Sequence, residues 1–113
     1  MRKTDKKIDN QLRLGLTDVC EAALKDISGF QWLTHTVNYA NFPQSLTLVC
    51  VFKNNDQLSA FLASGQKKLL TTLIDNKLKD IGINLTQITH HLKYDSEENC
   101  TNMNNCNWAH RLR

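Results

Sequence analysis

The residues best suited to chemistry lie near the C-terminus, in the stretch HHLKYDSEENCTNMNNCNWAH at positions 90–110. Five residues separate Cys100 from Cys106, and three separate Cys106 from His110. This spacing matches the last three ligands of a three-Cys-one-His zinc finger, and His91 stands where the first cysteine would be. Because Zn²⁺ prefers thiolate and imidazole ligands, a tetrahedral site formed by His91, Cys100, Cys106 and His110 is one hypothesis.

Two other interpretations of the same residues stay open. Cys100 and Cys106 could form a reversible disulfide, or they could be two exposed thiols in a tail that Trp108 and Leu112 pin to the body. The last interpretation is the simplest. No apolar segment follows the basic N-terminus, which indicates the absence of a secretory signal and favours a reducing cytoplasm. Cysteines in that compartment are expected as thiols or metal ligands.

The sequence contains no signature of an enzyme or of a membrane span. There is no phosphate loop, no Rossmann glycine pattern and no G-x-S-x-G. His35 and Cys50 come from neighbouring predicted strands and could form a Cys–His pair, but both are more simply core residues. No apolar run approaches the roughly 20 residues that cross a bilayer. We therefore expect a cytoplasmic protein without catalytic residues or cofactor.

The positive charge is concentrated at the N-terminus. Residues 1–13 carry five basic and two acidic side chains, a net of +3, and this equals the formal net charge of the whole chain. Such an arm can bind phosphates without regard to sequence, although a solvated terminus is the simpler interpretation. A second basic group lies in a predicted helix. The candidate contacts for nucleic acid are Arg2, Lys3, Lys6, Lys7, Lys67 and Lys68.

The first half of the chain predicts a helix followed by two strands. Apolar residues recur at three- and four-residue steps from Ile8 to Ile27, which is typical of an amphipathic helix, and Ser28-Gly29 should end it. The stretch FQWLTHTVNYA at 30–40 is rich in β-branched and aromatic residues. After a turn at NFPQ, SLTLVCVF at 45–52 predicts a strand that is buried on both faces.

The second half predicts a helical crossover, a third strand and a tail. The helical pattern runs from Leu58 to Ile81, with Gly65 dividing it and Gly82 as a left-handed cap. The stretch LTQITHHLKYD at 85–95 alternates in the manner of a strand, which should place His90 inward and His91 outward.

These elements predict a two-layer α+β fold in the order α-β-β-α(α)-β. Its helices pack on one face of a small three-stranded mixed sheet, and its crossover is right-handed. Residues 1–95 form the single domain, and residues 96–113 form a polar, Asn-rich and weakly structured tail.

The order and apolar pattern of residues 4–95 resemble the KH-like N-terminal domain of bacterial helicase-loader proteins. KH modules hold a nucleic-acid backbone with a G-x-x-G loop, whereas the four glycines here are isolated at 15, 29, 65 and 82. The stretches MRKTDKKIDNQLR, GFQWLTH and NFPQSL resemble small gammaproteobacterial proteins, some of which carry the label Fis-family transcriptional regulator. Fis is all-helical, so the predicted strands give no support to DNA bending.

These observations lead to two functional hypotheses. The first is a non-enzymatic binding or adaptor module, associated with replication or transcription, with a protein partner or nucleic acid as its ligand. The alternative is a zinc-stabilised interaction protein that uses the Cys/His tail.

Overall fold

The computed structural model describes residues 3–112. Within that part of the chain there are five α-helices and three strands. The helices are α1 (Lys3–Asp26), α2 (Asn55–Ala63), α3 (Gln66–Asp80), α4 (Glu97–Asn104) and α5 (Trp108–Arg111). The strands are β1 (Phe30–Thr36), β2 (Thr47–Phe52) and β3 (Leu92–Ser96). None of these helices is both long and apolar enough to cross a membrane.

The three strands form one mixed sheet in the order β1-β2-β3. β1 and β2 are antiparallel, with Leu33 opposite Cys50, and β2 and β3 are parallel, with Cys50 opposite Tyr94. Because β2 is central, it is buried on both faces, as its continuous apolar run predicts. The predicted α+β class with helices on a three-stranded mixed sheet is confirmed.

The main core lies between the sheet and the three long helices. α1 presents the stripe that its sequence predicts, and the stripe packs against the side chains of β2 that point to the same layer. These buried residues include Leu12, Leu16, Val19, Ala23, Leu48, Cys50 and Phe52. Cys50 is therefore a core thiol.

Capping residues define the helix ends. Asn54 accepts a hydrogen bond from the Gln57 N–H at 2.8 Å and begins α2. Gly65 separates α2 from α3, as predicted. Gly82 has a φ of 87°, and the Ile83 N–H donates to the Leu78 carbonyl at 2.8 Å, so the left-handed cap after α3 is also confirmed.

The third strand is shorter than its sequence pattern predicts. Ile88–His91 form a 3₁₀ turn, in which the His90 N–H donates to the Gln87 carbonyl at 3.0 Å. These backbone groups are bonded locally, so pairing with β2 begins only at Leu92. His90 is consequently exposed, and the prediction that it points inward is wrong.

Where the composition indicated a weakly structured tail, the chain forms α4 and α5. The polar residues that lower the apolar content of this segment act as helix caps. The Ser96 hydroxyl accepts from the Asn99 N–H at 3.0 Å, and the Asn107 side chain accepts from the His110 N–H at 3.0 Å. Asn105 ends α4 in the left-handed conformation, with a φ of 50°.

The C-terminal segment, α4 and α5, covers the sheet face opposite the long helices. The prediction of helices on one face therefore describes α1, α2 and α3, and two further helices lie on the other face. Val51 on that face is opposite both Trp32 on β1 and Asp95 on β3, so these three residues form a row across the sheet. Trp108 packs on Trp32, and Arg111 binds Asp95, at the two ends of the row. Val51 between them is fully buried.

Candidate functional site

The structure does not bring together the four residues of the zinc hypothesis. His91 lies before β3, with its Nδ1 2.7 Å from the Leu46 carbonyl oxygen. Cys100 and Cys106 follow the other end of β3, and a five-residue strand spans about 16 Å. Within residues 3–112, no group of three or more His, Cys, Asp or Glu side chains is arranged to hold a metal ion.

The two C-terminal cysteines have different environments. Cys100, a residue of α4, is fully buried, whereas Cys106 is exposed, with its Sγ 3.1 Å from the Thr101 hydroxyl. All four cysteines of the chain are free thiols. The interpretation of both tail cysteines as exposed thiols is therefore correct only for Cys106.

Two tryptophans and one carboxylate anchor the C-terminal segment. The Trp32 and Trp108 rings meet edge to face, with centroids 4.8 Å apart. The two oxygens of Glu97 accept one bond from each indole N–H, at 2.5 Å from Trp32 and 3.1 Å from Trp108. The predicted anchoring role of Trp108 is confirmed, and Trp32 is the surface that receives it.

His35 and Cys50 do not form a catalytic pair. His35 Nε2 lies 3.3 Å from Asp9 Oδ1, and the Tyr39 hydroxyl donates to the same oxygen at 2.8 Å. The Tyr39 hydrogen bond is the main cause that lowers the pKa of Asp9, while burial and Asp9 raise the pKa of Tyr39 to about 12. Burial raises the pKa of Cys50 to about 12, which keeps it a thiol at neutral pH. His35 therefore joins β1 to α1.

The residues predicted to contact nucleic acid form two groups at opposite ends of the helical layer. Lys3, Lys6 and Lys7 lie at the start of α1, and Arg2 is outside the described residues. The Gln66 side chain at the start of α3 donates to the Asp26 carbonyl at the end of α1, at 3.0 Å. Since the helix from residue 7 to residue 26 is about 28 Å long, the arm and the α3 lysines are well separated.

Lys67 and Lys68 lie in the first turn of α3. This turn contains no acidic residue, and Gly65 before it provides no side-chain cap. Lys67 Nζ lies 5.6 Å from the centre of the Tyr94 ring on the edge strand β3. A shallow depression of about 360 Å³ adjoins Lys67 and Lys68. We call the residues that line it the α3 N-terminal surface: Ser64, Gly65, Lys67, Lys68, Thr71 and Thr89.

This surface has the chemistry of an anion-binding site. The N–H groups of a first helical turn carry partial positive charge, which the two ammonium groups reinforce. One of them, the Gln66 N–H, is bonded to the Ser64 hydroxyl at 3.2 Å. The exposed Thr89 hydroxyl can donate to a phosphate oxygen, whereas the Thr71 hydroxyl already donates to the Lys67 carbonyl at 2.8 Å. Asp26 is the acidic residue adjoining the turn, at the end of α1.

Sequence reasoning missed the partners of the C-terminal segment. It named Trp108 but not Asp95, Glu97 or Arg111, because the contacts span up to 65 residues and leave no local pattern. The only local signal is a carboxylate at position 95, on the outer face of a predicted strand. Comparison of the chain with protein-family models, with curated proteins and with solved structures finds no match.

Proposed function

We propose that this protein is a small non-enzymatic binding module that contacts the phosphate backbone of single-stranded nucleic acid through the α3 N-terminal surface. The observation that carries the proposal is the pair Lys67 and Lys68 in the first turn of a helix without an acidic residue in that turn. Both lysines are exposed, and Lys67 Nζ lies over the ring of Tyr94, which is half-buried against the core, so this surface supplies charge and not a base-stacking ring.

KH modules hold a nucleic-acid backbone with a G-x-x-G loop, and the turn Ser64-Gly65-Gln66-Lys67 between α2 and α3 does not have that motif. This turn has one glycine instead of two, so lysine side chains replace part of the backbone contact. An accessory role in replication or transcription, with a protein partner, is part of this proposal. Four free thiols support a reducing cytoplasm as its location.

The test is a salt titration of binding to a fluorescent single-stranded oligonucleotide, followed by anisotropy. We expect binding at about 50 mM salt that weakens steeply toward about 200 mM. Lys67→Ala with Lys68→Ala should weaken binding and reduce the slope of log affinity against log salt by about 1.4, because each phosphate contact on a single strand contributes about 0.7. A matched duplex shows whether the site prefers single strands.

The matched control removes the same charge from the other basic group. Lys6→Ala with Lys7→Ala lies about 28 Å away along α1 and should leave the slope nearly unchanged. Equal losses in the two double variants would mean that net charge, and not this surface, causes binding. Absence of binding at about 50 mM salt by protein with a native circular dichroism spectrum would exclude the proposal.

A further inference from the structure

The outer face of α1, which no other described element covers, carries two exposed leucines among polar residues. Leu14 is 72% exposed and Leu24 is 52% exposed. They belong to a set of positions spaced by three and four residues, which therefore share one side of the helix. We call this set the α1 seam: Asn10, Arg13, Leu14, Thr17, Cys20, Glu21 and Leu24.

The seam continues into two hollows. One, of about 370 Å³, lies between α1 and the edge strand β1 and has Leu16, Cys20 and Leu33 in its lining. The other, of about 340 Å³, is open surface on α1 itself, lined only by Asn10, Arg13, Leu14 and Thr17. A helix face with exposed leucines and a hollow beside it can accept the side chains of a second helix in ridges-into-grooves packing.

The seam is complementary in charge to itself. Arg13 precedes Thr17 by four residues, and Glu21 follows Thr17 by four. If two α1 helices cross antiparallel with a twofold axis at Thr17, Arg13 of each copy meets Glu21 of the other. The same axis places Leu14 against Cys20 and Leu24 against Asn10. The charge pairing is reciprocal, as an interface between identical subunits requires, because the same patch must fit itself.

We propose that two copies of this chain associate through the α1 seam, with a twofold axis at Thr17. No described residue forms an ion pair with Glu21, so its carboxylate is available to the second copy. Arg13 contacts two residues of its own helix: its Nε lies 3.4 Å from Asp9 Oδ2, and its Nη2 donates to Asn10 Oδ1. Its side chain is 65% exposed. Exposed ion pairs of this kind are weak, so Arg13 can contact both the Asp9 carboxylate of its own helix and the Glu21 carboxylate of the second copy at little cost.

The dimer is independent of the proposed nucleic-acid surface. Lys67 lies over Tyr94 on β3, the opposite edge of the sheet from β1, which lies beside the α1 seam. The α1 seam and the α3 N-terminal surface share no residue. Failure of nucleic-acid binding would not affect this inference, and a monomeric protein would not affect the proposed function.

The first test is a charge swap followed by sedimentation equilibrium. The natural chain should reach a mass near twice 13.0 kDa. Glu21→Arg should weaken dimerisation by about tenfold or more, because an arginine then faces Arg13 of the other copy at each of the two symmetry-related contacts. Adding Arg13→Glu should restore the dimer, because each crossing regains one charge of each sign. A monomeric natural chain at about 0.1 mM, or a double variant weaker than Glu21→Arg alone, would overturn the inference.

The second test uses the twofold axis directly. A residue on such an axis faces its own copy, so Thr17→Cys, in a Cys106→Ser background, should form an intermolecular disulfide under mild oxidation. Thr72→Cys, which is exposed on α3, is the matched control and should cross-link far more slowly. Equal cross-linking at both positions, with both variants folded, would contradict the seam.

Discussion

Asp95 and Arg111 form a bidentate ion pair between β3 and the last described helix. Arg111 Nε lies 2.6 Å from Oδ2, and Nη2 lies 2.9 Å from Oδ1. The two side chains are only 16% and 19% exposed. Because the planar guanidinium matches both carboxylate oxygens, this pair fixes where the C-terminal segment lies on the sheet.

Arg111→Ala should lower the free energy of unfolding by about 2 kcal/mol, because it removes charge-assisted bonds from a mostly buried carboxylate. Urea unfolding followed by tryptophan fluorescence measures this loss. Lys79→Ala is the control, since it removes an ion pair with Asp75 in which the lysine is 56% exposed. That change should cost less than about 0.5 kcal/mol. Equal losses would mean that the C-terminal segment is not held by Arg111.

The same pair should make stability depend on acid pH. Burial acts to raise the pKa of Asp95, but hydrogen bonds from Arg111, the Ser96 N–H and Asn99 outweigh it and leave the pKa below its usual value. The folded pKa is therefore below the unfolded one, and the unfolded chain binds more protons between them. The stabilisation is present above about pH 4 and is lost as the pH falls through the folded pKa.

Urea unfolding at a series of acid pH values tests this dependence. Asp95→Asn removes the titrating group and should flatten the curve relative to the natural chain. Asp9, whose pKa is lowered mainly by its hydrogen bond from Tyr39, also makes stability fall as the pH falls. The Asp95→Asn variant should therefore keep a smaller dependence of unfolding free energy on pH. An Asp95→Asn curve as steep as the natural one would show that Asp95 does not contribute.

The parts of the fold that the sequence predicts are those encoded by local periodicity. The stripe from Ile8 to Ile27 and the apolar run of β2 each repeat with the period of one element, and both appear as expected. The residues from Gln87 to His91 alternate like a strand, but their backbone groups are bonded within a turn. Alternation alone cannot distinguish these two outcomes, because it records side chains and not hydrogen bonds.

The candidate site was predicted only in part for a related reason. Lys67 and Lys68 stand out in sequence as a charged pair, and their place in the first turn of α3 follows from Gly65. The proximity of Lys67 to Tyr94, and the separation of His91 from Cys100, depend on how β3 enters the sheet. Such contacts between distant segments have no signature in spacing.

Glu97→Gln should destabilise the C-terminal segment by about 1 to 2 kcal/mol. The carboxylate accepts bonds from two indole N–H groups, whereas a carboxamide offers one acceptor and turns a donor toward the other indole. Near-ultraviolet circular dichroism and urea unfolding measure the change. Glu98→Gln is the control, because its oxygen accepts only from the Asn55 N–H and an amide oxygen can replace it. Similar losses in both variants would argue against the shared carboxylate.

Alanine substitutions at Gly29 and Gly82 separate the cost of a left-handed backbone from the cost of a close side-chain contact. Their φ values are 81° and 87°, so alanine should cost about 1 to 2 kcal/mol of strain at either position. A Cβ at Gly29 would lie 2.7 Å from the Gln57 Cβ, whereas a Cβ at Gly82 meets no atom within 4 Å. Gly29→Ala should therefore be more destabilising by a further 1 to 3 kcal/mol, roughly the cost of overpacking. Equal unfolding free energies for the two variants would show that the turn before β1 moves away from α2.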